Sequence, residues 1–108
     1  MEAKLLLHIK KPLSDYEFTE IKVWKVKKNK NFPEGVKYSM VYIKKVKGKY
    51  NRIFGVDNER GKGHHKHINK TESELEFKNW KKLLDSFYKE VEKLRGENNA
   101  DKRDQGRS

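Results

Sequence analysis

Toward the C-terminus, apolar residues recur at three- and four-residue steps: Leu75, Trp80, Leu83, Leu84, Phe87, Tyr88, Val91 and Leu94. That spacing lines one face of an α-helix and predicts a helix over residues 75–94. Ser73-Glu74-Leu75-Glu76 reads as a capping-box start, Lys93 and Arg95 fall in the last turn, and Gly96 follows as a C-cap. Upstream the pattern changes to short segments rich in β-branched and aromatic residues, separated by turn signals. These predict strands at about 4–9, 20–28, 36–46 and 50–56, with Lys47-Gly48-Lys49 as a hairpin turn and Asn31-Phe32-Pro33-Glu34-Gly35 as a loop. In the third strand Tyr38, Met40 and Tyr42 share one face and Ser39, Val41 and Ile43 the other, so one face needs covering. The expected fold is α+β: an antiparallel meander of about four strands packed against one long C-terminal helix. Residues 1–96 are read as a single domain and residues 97–108, which lack large apolar side chains, as a flexible polar tail.

Composition adds direction to this outline. The 108 residues are 40% charged and carry a net charge of +11. The excess is not evenly spread: residues 1–70 hold 18 Lys/Arg against 7 Asp/Glu, whereas residues 71–108 hold 9 of each. Charge asymmetry of this kind is the footprint of a surface facing a polyanion, although a lysine-rich solvated surface has the same composition. There is no cysteine, which excludes disulfides and thiolate chemistry. The apolar run Leu5-Leu6-Leu7 is far shorter than the roughly 20 residues of a membrane span, and the chain is read as cytoplasmic.

The chemistry-bearing stretch runs from Arg52 to His67. Three of the chain's four histidines, His64, His65 and His67, lie here, after Asp57-Asn58 and among Arg52, Arg60, Lys62 and Lys66. One reading is acid–base cleavage of a phosphodiester: one imidazole accepts the ribose 2′-hydroxyl proton, another donates to the departing oxygen, and a cation steadies the phosphate. In an extended backbone His65 and His67 share a face about 7 Å apart, with His64 opposite, which makes them the acid–base pair and Arg52, Lys62 and Lys66 the phosphate clamps. A second reading makes His65, His67 and Asp57 metal ligands, but their spacing matches no strong metal motif. A third holds the same basic loop against phosphates without reaction. Outside the stretch, Lys25 and Lys27, within the run Lys22, Lys25, Lys27, Lys28 and Lys30, are candidate phosphate contacts. Trp24, Tyr38, Tyr42 and Tyr50 are candidate stacking surfaces for unpaired bases, with core packing as their alternative. His8, alone in an apolar strand, reads as structural.

The order Tyr-x-x-x-Tyr (Tyr38 to Tyr42), hairpin, Arg-x-Phe-x-x-Asp-Asn (Arg52 to Asn58), His-His-x-His (His64 to His67) and amphipathic helix resembles the TumE-type toxins of prokaryotic toxin–antitoxin modules. The resemblance spans about residues 38–94. It implies a small toxin made beside an antitoxin protein, acting on RNA or translation, and it carries over Arg52, Asp57, Asn58, His65 and His67 as functional positions. The combined expectation is a toxin-like, metal-independent endoribonuclease needing no cofactor. Its catalytic residues are His65, His67, Asp57 and Arg52, and its nucleic-acid contacts are Asn58, Arg60, Lys62, His64, Lys66, Lys25 and Lys27, with RNA favoured over DNA. The alternatives are a non-catalytic nucleic-acid-binding module and a basic protein that docks an acidic partner. Oligomerisation is left open.

Overall fold

The computed structural model describes residues 3–59 and 63–107, with side chains through Gly96. Six strands and one helix follow in chain order: β1 (Lys4–Ser14), β2 (Glu17–Lys25), β3 (Val36–Val46), β4 (Lys49–Asp57), β5 (His65–Ile68), β6 (Thr71–Glu74) and α1 (Trp80–Arg107). All six strands form one sheet in sequence order, every neighbouring pair antiparallel. The α+β class and the helix packed on a meander hold, with six strands where about four were expected.

The core follows from the two periodicities. Ile21 and Val23 of β2, Tyr38, Met40 and Tyr42 of β3, and Phe54 and Val56 of β4 alternate onto one face and are buried against Phe87 and Val91 of α1. Phe54 and Phe87 stack with ring centroids 5.6 Å apart, joining sheet to helix. Burying side chains of this size stabilises by about 1.5–3 kcal/mol each. About two turns further along the helix from Phe87, Arg95 donates from Nε (3.0 Å) and Nη2 (3.3 Å) to the Glu17 carboxylate, which also accepts from Tyr42 and Ser14. Burial pushes the Glu17 carboxyl up, but the hydrogen bonds from Tyr42, Ser14 and Arg95 outweigh it and hold the group below its ordinary value. Burial, reinforced by that carboxylate, pushes the Tyr42 phenol up, so it remains a donor.

Three element boundaries correct the sequence reading. First, β1 and β2 extend through Lys10-Lys11-Pro12-Leu13-Ser14 and Glu17-Phe18-Thr19. Lys and Pro read as loop, yet both are tolerated on β1 because it is an edge strand. Second, Ser73 and Glu74 belong to β6, not to a helix start. The cap is Asn79, whose Oδ1 accepts from the Lys82 N–H at 2.9 Å, and Leu75 precedes the helix, its N–H donating to the His64 carbonyl at 3.1 Å. Third, Gly96 does not take the left-handed conformation of a C-cap. Residues 97–108, the expected tail, lie beyond the described side chains. The hairpin between β3 and β4 is as foreseen, turning on Lys47 (φ 52°) and Gly48 (φ 79°). Among the described residues, no helix is long and apolar enough to cross a membrane.

Candidate active site

The face of the sheet away from α1 is built by strand alternation. In β5, Lys66 shares the helix-side groove with Phe54 and Val56, which leaves His65 and His67 on the opposite, open face. Pairing sets their neighbours. Asp57 of β4 lies opposite His65 and, on its other side, opposite Ser39 of β3; Gly55 lies opposite His67 and Val41. β6 closes the group by pairing Glu72 with His67 and Glu74 with His65. Together Ser39, Arg52, Asp57, Glu59, His65, His67 and Glu72 line a cleft of about 390 Å³.

Each histidine in the cleft is held through one ring nitrogen. His65 Nδ1 lies 2.8 Å from the Gly63 carbonyl oxygen. A carbonyl can only accept, so the Nδ1 atom carries a proton and the neutral ring presents Nε2 as a base. Glu72 Oε1 sits 3.6 Å from that Nε2, close enough to face its charge once it is protonated. His67 Nε2 donates to Asp57 Oδ2 at 2.9 Å, and Asp57 Oδ1 accepts from the Glu59 N–H at 3.2 Å, so both carboxylate oxygens are engaged. The two imidazoles are about 15% exposed and shielded on their flanks, yet reachable from the cleft.

Arg52 reaches this cleft because of a bulge and a glycine. The register between β3 and β4 shifts between Tyr42 and Ile43, so that Phe54 pairs with Tyr42 and Arg52 with Ile43. A Cβ at position 55 would stand 3.1 Å from Arg52 Cδ; glycine leaves that path open. Among the described residues, Arg52 is the one cation lining the cleft, opposed by the carboxylates of Asp57, Glu59 and Glu72.

Arg52, Asp57, His65 and His67 are therefore brought together as the sequence reading placed them. Asn58 is not with them. It is buried, its Oδ1 accepting from the Tyr38 N–H at 2.9 Å and its Nδ2 donating to the Val36 carbonyl at 2.8 Å, so its amide serves the end of β3 rather than a phosphate. His64 turns away from the cleft: it stacks on Phe77 at 4.1 Å, accepts from the Tyr38 hydroxyl at Nδ1 (2.8 Å) and faces Glu34 at 3.2 Å. Burial, with the Asp57 and Glu34 carboxylates adding to it, pushes the Tyr38 phenol up and keeps it a donor. Lys66 points to the helix side, and Lys25 and Lys27 border a separate hollow beside Lys4 at the far edge of the sheet. Arg60 and Lys62 lie outside the described residues. Tyr38 and Tyr42 are core residues, not stacking surfaces, whereas Tyr50 is exposed. His8 bonds Glu20 at 2.8 Å, which holds that carboxyl below its ordinary value.

The sequence reading missed Ser39, Glu59 and Glu72. Ser39 enters only through the β3–β4 register, and Glu72 only through the pairing of β6 with β5. For the alternative metal reading, no group of three or more His, Asp or Glu side chains among the described residues is arranged to hold a metal ion.

A family model described as Toxin TumE matches residues 4–95. The chain belongs to this toxin family, and is a toxin of a toxin–antitoxin module. No curated protein and no solved structure gives a significant match.

Proposed function

We propose that this toxin cleaves single-stranded RNA by acid–base transesterification at the His65–His67 cleft. The observation that carries the reading is that two imidazoles on one strand face are each fixed at one nitrogen by an acceptor, the Gly63 carbonyl for His65 and the Asp57 carboxylate for His67. That leaves His65 Nε2 and His67 Nδ1 for proton transfer.

In this reading His65 Nε2 takes the proton of a ribose 2′-hydroxyl, and the oxygen attacks the adjacent phosphorus. Protonated His67 gives its Nδ1 proton to the departing 5′-oxygen while Asp57 holds the ring's orientation and balances its charge. The P–O5′ bond breaks as the P–O2′ bond forms, giving a 2′,3′-cyclic phosphate and a 5′-hydroxyl. Arg52 steadies the charge on the non-bridging oxygens, and Glu72 faces His65 once its Nε2 is protonated. Two alternate residues of a strand are about 7 Å apart, a separation that lets base and acid flank one phosphate.

The basic excess of residues 1–70 supports attraction of a polyanion. A cognate antitoxin protein is the partner that would silence the cleft. End-group analysis of cleaved RNA tests the chemistry directly: a cyclic phosphate is expected, and a 5′-phosphate product contradicts it.

A further inference from the structure

On the same open face, next to the cleft, two aromatic rings meet at the surface. Tyr50 of β4 and Phe18 of β2 pack edge to face with centroids 5.9 Å apart, and Tyr50 is 61% exposed. Lysine ammonium groups sit at both rings: Lys10 Nζ is 4.6 Å from the Phe18 centroid and Lys45 Nζ 5.5 Å from that of Tyr50. This contrasts with Tyr38 and Tyr42, fully buried on the other face. Tyr50 is two residues from Arg52 on one strand, so the two side chains leave the same face about 7 Å apart, a span that one nucleotide covers.

We infer that Tyr50 and Phe18 form a base-stacking subsite for a nucleotide next to the scissile phosphate of single-stranded RNA. The inference rests on the ribonuclease reading of the cleft. Physical chemistry favours that occupant. An exposed ring gains from stacking on a base, whatever its identity, because every base has a π face. The Lys10 and Lys45 ammonium groups lie over the Phe18 and Tyr50 rings, and a base that takes their place on a ring face would leave them to its flanking phosphates. The platform is continuous with the cleft, since Ile43 pairs with Phe18 on one side and Arg52 on the other. A protein partner on the same rings is the other occupant, and RNA affinity unchanged by Tyr50→Ala would leave the platform to it.

The test uses the full chain carrying His65→Ala and His67→Ala, so that RNA is bound and not cut, with a labelled RNA of about ten nucleotides as the probe. Adding Tyr50→Ala should weaken binding about 5- to 100-fold, while Tyr50→Phe should stay within about twofold and Tyr50→Trp should bind at least as tightly. With an abasic ribose-phosphate strand of the same length, Tyr50→Ala should change nothing. Equal binding by Tyr50→Ala, or an equal loss on the abasic strand, overturns the subsite. If Tyr50→Ala alone, with both histidines present, cuts RNA with unchanged KM, the subsite fails while the ribonuclease reading stands. If even the parent binds no RNA, both fail together.

Discussion

His67 Nε2 lies 2.9 Å from Asp57 Oδ2, yet the two residues are not partners in the strand ladder: Asp57 lies opposite His65, and His67 lies opposite Gly55. The contact is a diagonal one, made possible because position 55 has no side chain to fill the space opposite His67. One carboxylate therefore orients one histidine from beside the other, so acid and base share a single row of side chains with Arg52 reaching over the same gap.

Replacing Asp57 with Asn should leave the fold intact, since the amide keeps the Oδ1 contact to the Glu59 N–H. It should lower RNA cleavage by roughly 10²- to 10⁴-fold, because an amide NH₂ facing His67 Nε2 favours the wrong tautomer. Single-turnover kinetics alongside circular dichroism check both halves; cleavage at the wild-type rate contradicts the role given to Asp57.

Gly55→Ala places a methyl 3.1 Å from Arg52 Cδ and 3.4 Å from the Met40 carbonyl oxygen. Displacing the guanidinium should reduce kcat/KM about 10-fold, and up to about 100-fold if Arg52 loses the phosphate altogether. Arg52→Ala measured in the same assay should be no less impaired than Gly55→Ala.

Asn58→Ala removes the partner of two buried backbone groups, the Tyr38 N–H and the Val36 carbonyl. It should destabilise the protein by about 2–4 kcal/mol, read as a lower urea midpoint. Affinity of the remaining folded protein for RNA should be unchanged, which separates Asn58 from the phosphate-contacting residues.

The Glu17 carboxyl is held below its ordinary value of 4.5 by Tyr42, Ser14 and Arg95. Its folded-state value is depressed, so its stabilising contribution is present above the unfolded value and is lost as pH falls through the folded one. Between about pH 6 and 3 the Tm of the wild type should fall more steeply than that of Glu17→Gln, which starts lower and carries no such titration. Parallel curves contradict the assignment.

Much of this arrangement is legible in the sequence where a local period dictates it. The alternation Tyr38, Met40, Tyr42 and the three- to four-residue recurrence of Leu83, Leu84, Phe87, Tyr88 and Val91 specify which faces meet, and His65-Lys66-His67 places two histidines together on any extended backbone. What sequence patterns do not reveal depends on pairing partners. Ser39 and Glu72 reach the cleft only through register with Asp57 and His67. Ser73-Glu74 has the local signature of a helix start but is captured by β5, and Asn79 caps the helix instead. Asn58 stands beside Asp57 in the chain, but at the end of β4 its side chain turns into the protein, a direction that composition does not disclose.

The most direct test of the account is incubation of the pure protein with labelled single-stranded RNA in EDTA, comparing wild type with the His65→Ala, His67→Ala double variant. The account expects the wild type to generate fragments ending in 2′,3′-cyclic phosphate and the folded double variant to bind the RNA but leave it intact. RNA that the wild type binds without cutting, or fragments that the double variant produces equally well, would contradict it.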